Sequence, residues 1–146
     1  MAQISKRMLR YDIQKRVWEL FFKSFCKIRS EEQATKFLDD LLTPTEKTNL
    51  AKRLSIAFLL YQGYDQRLVA DLLKTSTSTV NKVGQWMRSK GEGFRWVIQK
   101  IQQEEGIREF LDAVEDIFSS WPSKGRNWSR WRKEQYAKER QRSKPF

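Results

Sequence analysis

Apolar side chains recur at three- and four-residue steps along most of this chain, and no segment alternates in the way a half-buried strand would. Residues 8–29 carry Leu9, Ile13, Val17, Phe21, Phe25 and Ile28 on one stripe. Trp18, Leu20 and Phe22 widen it. The pattern predicts an amphipathic helix with more apolar surface than one packing partner covers. Such a face suggests burial on more than one side, either at a subunit interface or within its own subunit. A second helix is predicted over 31–42, with Ala34, Phe37, Leu38 and Leu41 inward. Thr43-Pro44-Thr45-Glu46 then reads as a helix start: a threonine N-cap, proline at the first helical position and a glutamate closing a capping box. That third helix should run to about 62, with Leu50, Leu54, Ala57, Phe58 and Tyr61 inward and Gly63 ending it.

Residues 66–83 have the layout of a helix-turn-helix. Val69, Leu73, Val80 and Val83 supply an apolar back, and small Ala70 stands where two helices would cross closely. Asp65 is placed to cap the first helix, and Ser76 or Thr77 the second. Lys74 occupies the turn position where glycine is common, which predicts mild backbone strain or a different turn geometry. The second helix should end near Ser89, before Gly91-Glu92-Gly93. Phe94, Val97, Ile98 and Ile101 predict another helix, and Gly106 interrupts it. Ile107, Phe110, Leu111, Val114, Ile117 and Phe118 predict a further one, before a break at Trp121-Pro122-Ser123-Lys124-Gly125. The fold class is all-α.

Charge adds a partner class. The 146 residues carry a net charge of +11, with a pI near 10.0. Eight Lys/Arg face two Asp/Glu in residues 1–29, nine face two in 123–146, and the middle is close to neutral. Two basic ends around a helix-turn-helix favour phosphate contacts over plain solvated charge, with nucleic acid as the partner and an acidic membrane second. No run reaches the roughly 20 apolar residues of a membrane span, and no signal-peptide pattern opens the chain, so a cytoplasmic protein with no membrane partner is expected. The chain has no histidine and one cysteine, Cys26, within an apolar run that suggests core packing. These counts remove intrachain disulfides, cysteine-rich metal sites and histidine-based catalysis. There is no phosphate-binding glycine loop, and the pairs Asp39-Asp40 and Glu104-Glu105 diverge on helices. Neither an enzyme nor a cofactor is expected.

The chemistry of the helix-turn-helix suits double-stranded DNA. Arg67 can hold a phosphate bidentately. First-turn N–H groups at Ser76, Thr77 and Ser78 form an anion-attracting helix end, although one of Ser76 and Thr77 is needed as a plain cap. Thr79 and Asn81 are the better candidates for base edges, Asn81 towards adenine, with Thr77 and Ser78 able to join them. Lys82 can reach a phosphate or stay solvated.

Leu42-Thr43-Pro44-Thr45-Glu46, Ala51-Lys52-Arg53-Leu54, Gly63, Gln66-Arg67 and Ser78-Thr79-Val80 together resemble the Trp repressor superfamily. The continuation Val83-Gly84-Gln85-Trp86, then Gly91-Glu92-Gly93-Phe94, is similar to its YerC/YecD branch. The resemblance covers about residues 30–105. It implies an interlocked helical homodimer and two recognition helices, residues 76–88, entering successive major grooves. It places Gln66 and Arg67 near phosphates, and Ser76–Thr79 and Asn81 on the DNA face. It also implies a vestigial effector pocket at Arg53, Lys82, Val83 and Trp86. Tryptophan-sensing members clamp the amino acid between two arginines over a glycine. Here Arg53 matches the first arginine, but Lys82 lacks the second planar fork and Val83 fills the glycine's place. Trp86 replaces a small serine and either fills the space itself or packs in the core. No tryptophan co-repressor is expected.

Four segments are therefore expected: a dimerisation helix or arm at 1–29, the helix-turn-helix domain at 30–105, a C-terminal helix at 106–122 and a basic, Trp-rich tail at 123–146. In the tail, Trp128, Trp131 and Gln135 would share one helical face, interleaved with Arg130, Arg132 and Lys133. Packing on the domain, ordering on DNA and docking on an acidic surface all stay open. The expected function is a sequence-specific transcriptional regulator, a repressor in sense. The alternatives are a non-specific architectural nucleic-acid binder using the basic ends, and a protein-interaction module.

Overall fold

The computed structural model describes residues 7–119 and, in the tail, 133, 134, 137, 138 and 140. The described residues hold seven helices and no strand: α1 Tyr11–Lys27, α2 Glu31–Leu41, α3 Pro44–Tyr61, α4 Gln66–Leu72, α5 Thr77–Lys90, α6 Glu92–Ile101 and α7 Glu105–Ser119. The chain is all-α, as expected. None of these helices is long and apolar enough to cross a membrane. The five tail residues are helical and exposed; Trp128 and Trp131, on which the tail's alternatives turn, lie outside the described residues. Two compact units divide the chain at Leu50 and Ala51.

In the first unit, local chemistry sets the helix ends. Ser30 Oγ accepts from the Gln33 N–H (3.2 Å), while Gln33 Oε1 accepts from the Arg29 N–H (3.0 Å). Thr43 and Glu46 form the expected capping box. Thr43 Oγ1 accepts from the Glu46 N–H (3.3 Å), and Glu46 Oε2 accepts from the Thr43 N–H (2.9 Å) and hydroxyl (2.8 Å). The backbone N–H of Thr43 first, and its hydroxyl second, hold the Glu46 carboxyl below the usual range. Lys47 pairs with Asp39 between α3 and α2. On α1 an aromatic ladder runs through Trp18, Phe21, Phe22 and Phe25, with Trp18 and Phe22 stacked at 5.6 Å and Phe21 edge-on to Phe25 at 4.9 Å. No residue of α1 is buried: Trp18 is 52% exposed and Phe22 59%. Cys26 is exposed too, so its expected place in a core is corrected; it lies on a helix with no buried residue among the described residues.

The second unit contains the core. Ile56, Ala57, Phe58 and Leu59 of α3 pack with Val69 and Ala70 of α4, and with Val80, Val83 and Met87 of α5. Ile98 of α6 and Val114 of α7 close it, and Phe110 tilts against Phe58 at 6.3 Å. The inward face of α3 differs from expectation. Ala57 and Phe58 are buried as predicted, but Leu50, Leu54 and Tyr61 are exposed, and Ile56 and Leu59 take their places. The end of α3 is apolar on every side, so its period selects no single face. The break after α6 falls at 102–104, and Gly106 lies inside the first turn of α7 rather than between helices.

One device ends both α3 and α4. After α3, the Tyr64 N–H reaches back to the Leu59 carbonyl (3.1 Å) and the Gly63 N–H to Leu60 (3.1 Å), with Gly63 at φ +90°. After α4, the Thr75 N–H reaches Ala70 (2.9 Å) and the Lys74 N–H reaches Asp71 (3.3 Å), with Lys74 at φ +49°. Both are Schellman motifs, which need a left-handed residue. Gly63 adopts that conformation without a Cβ clash, whereas Lys74 is strained, as its position in the sequence predicted.

Candidate nucleic-acid interface

Alternating burial along α4 and α5 builds the candidate surface. Leu68, Val69 and Ala70 anchor α4, and Val80, Val83, Gly84 and Met87 anchor α5. Asp65 Oδ1 caps α4 by accepting from the Arg67 N–H at 2.8 Å. Ser76, not Thr77, caps α5, accepting from the Thr79 N–H at 3.1 Å. Ser76, Thr77, Ser78, Thr79, Asn81 and Lys82 are all exposed, and so is Arg67; Gln66 is half-buried. The first turn of α5 therefore offers short polar groups on a helix whose opposite face is fixed in the core.

These groups are not equally available. The Thr79 and Ser76 hydroxyls share a hydrogen bond at 2.8 Å, so Thr79 is drawn into the cap. Thr77, Ser78 and Asn81 make no side-chain hydrogen bond among the described residues, and Lys82 makes no ion pair there. The Asn81 carbonyl and amide are thus both available as acceptor and donor.

Of the four pocket residues, the structure brings two together. The Arg53 guanidinium lies over the Trp86 ring, 5.4 Å from its centroid. Trp86 is 50% exposed, so core packing is corrected for this residue; its ring is a platform for Arg53 instead. Val83 is buried in the core, and Lys82 points to solvent.

The sequence did not single out three basic residues that the structure brings to this region. Lys52 Nζ donates to the carbonyl of Lys74 (3.4 Å), tying α3 to the turn. Arg95 donates to the Met87 carbonyl, which also accepts the Gly91 N–H at 3.2 Å. A Cβ at Gly91 would run into that carbonyl, which is why glycine stands between α5 and α6. Arg88 folds back so that its Nη1 lies 3.5 Å from where a Gly84 Cβ would be. The one hint in the sequence was Gly84 itself, a helix-interior glycine costing about 1 kcal/mol against alanine. Near the α3–α4 turn, burial first, then the charges of Glu115 and Asp112, push the Tyr64 hydroxyl above its ordinary range, so it keeps its proton.

An all-helical domain with a capped helix-turn-helix defines the class. Within it, the family model described as "Trp repressor protein" matches residues 16–114. The chain belongs to the Trp repressor family. It is also similar to the uncharacterized protein YerC of Bacillus subtilis (strain 168), 25% identical over 84 residues, which is 58% of this chain and 81% of that protein. No solved structure matches the chain.

Proposed function

We propose that this protein is a dimeric, sequence-specific DNA-binding transcriptional regulator, repressor-like as its family's name implies, reading the major groove with residues 76–88. The observation that carries the reading is the two-faced α5: Val80, Val83 and Met87 buried behind an exposed Ser76–Thr79, Asn81 and Lys82. In this arrangement Gln66 and Arg67 at the start of α4 contact phosphates, as does Lys82, while Asn81 reads a base and Thr77 to Thr79 support it. The unburied aromatic face of α1 supplies the homodimer contact, which sets two recognition helices for a near-palindromic site. Free tryptophan is not the co-repressor. Two features support this: Val83, in the glycine's place, is buried in the core, and Arg53 lies over the Trp86 ring.

Selection of preferred duplexes from a random pool at physiological salt tests this. A two-fold symmetric enriched motif is expected. Arg67→Ala should weaken binding to all sequences about equally, whereas Asn81→Ala should relax preference at one or two positions, by about 1–3 kcal/mol. Strong retention with no enriched motif would replace this reading with an architectural one, which the +11 net charge favours.

A further inference from the structure

A cavity of about 470 Å³ opens on the side of α5 where Gly84 lies, between the end of α3, the 63–65 turn, the start of α4 and the start of α6. It is within the size range of small-molecule sites. Leu60 and the buried Met87 give it an apolar wall. Two guanidiniums line it, and both are positioned. Arg88 lies back over Gly84, where a larger side chain would compete for the space. Arg95 is hydrogen-bonded to the Met87 carbonyl. Neither arginine has an ion-pair partner among the described residues. The one carboxylate in the lining is Asp65, whose Oδ1 already accepts the Arg67 N–H.

From this juxtaposition we infer that the cavity binds a small organic acid: a single carboxylate or phosphate head on a compact apolar body. The head pairs with Arg88 and Arg95, since guanidinium forks match the planar or tetrahedral oxyanion. The body lies against Leu60 and Met87. Asp65 in the same lining disfavours a second negative charge, so the rest of the ligand is neutral or cationic. DNA phosphate is the competing source of the same charge. The small acid is favoured because Arg88 is seven residues, about 10 Å of helix, beyond Asn81 and away from the base-reading end of α5. Binding is a property of the free protein and does not depend on the DNA reading.

The test uses the full-length, isotope-labelled protein, titrated with benzoate and with inorganic phosphate at constant ionic strength, and read by amide chemical shifts. Benzoate should give saturable shifts centred on Gly63, Gly84 and Arg95, stronger than phosphate because of its apolar body. Arg88→Gln should weaken them at least about tenfold, leaving the rest of the spectrum unchanged. Arg95→Lys, which keeps a donor for Met87 but loses the fork, should weaken them less. Shifts that track ionic strength without saturating would overturn the proposal. So would saturable shifts that Arg88→Gln leaves intact. If neither acid binds and Arg88→Gln instead weakens binding to all DNA sequences equally, the arginines serve DNA phosphates and the small-acid site is excluded.

Discussion

The two compact units handle the same kind of side chain in opposite ways. In the second, Leu68, Val69 and Val80 are wholly withdrawn from water. In the first, Trp18, Phe21, Phe22 and Phe25 form a continuous ladder, and each keeps at least 40% of its surface exposed. Among the described residues, that face of α1 meets α2 at one ring, with Phe25 edge-on to Phe37 at 5.5 Å, and buries no residue of the helix. Exposed aromatic surface on this scale costs free energy in water and favours association. The contrast separates a unit with a buried core from one whose aromatic face stays exposed among the described residues.

That contrast can be broken at several points. Leu68→Ala should cost the most, about 2–5 kcal/mol, seen as a lower midpoint in denaturant unfolding, because it opens a cavity where nothing can relax into it. An effect under about 1 kcal/mol would mean the second unit is less tightly packed than its burial indicates. Phe21→Glu with Phe25→Glu should weaken self-association at least about 100-fold, roughly 2.7 kcal/mol, in sedimentation equilibrium. The helical circular dichroism of the second unit should persist at the same time. Unchanged association would remove α1 from the interface. Lys74→Gly should stabilise the chain by about 1 kcal/mol, since the left-handed backbone is retained without its Cβ clash and the Lys74 carbonyl still receives Lys52. A loss of stability there would show that the Lys74 side chain contributes more than its strain costs.

The smallest effect concerns pH. Glu46 titrates below its ordinary value in the folded chain, so its contribution is fully present above the unfolded value and fades as pH falls through the folded one. Stability of the first unit should therefore decline as the solution is acidified through and below the normal glutamate range. Glu46→Gln, which keeps the capping geometry, should flatten that slope. An identical slope in the variant would assign the acid sensitivity to other carboxylates.

Much of this was legible in the chain because short-range chemistry decided it. Asp65, Ser76, Thr43 and Gly63 mark helix ends by hydrogen bonds spanning five residues or fewer, and each acts where its position predicted. Val69, Val80 and Val83 fell on a single face because their helices carry polar residues elsewhere. The face of α3 was not legible, since seven of its last eight residues are apolar and any rotation buries something. Cys26 failed for a related reason: an apolar neighbourhood in sequence says nothing about whether the neighbours are covered. The Arg53–Trp86 stack and the Arg88–Arg95 cavity depend on how α3, α5 and α6 meet. No local pattern encodes that, and the helix-interior glycine at 84 is the nearest trace.

The brevity of α4 has a practical consequence for engineering. Seven residues are too few for a helix to hold its shape in water, where a dozen or more are marginal. Cut out as a peptide, residues 65–90 would carry the side chains of the helix-turn-helix without its geometry. Moving the exposed face of α5 into another scaffold therefore means transplanting side chains onto a helix-turn-helix already held by its own core. The proposed role of Asn81 and its neighbours is better probed by exchanging them in place.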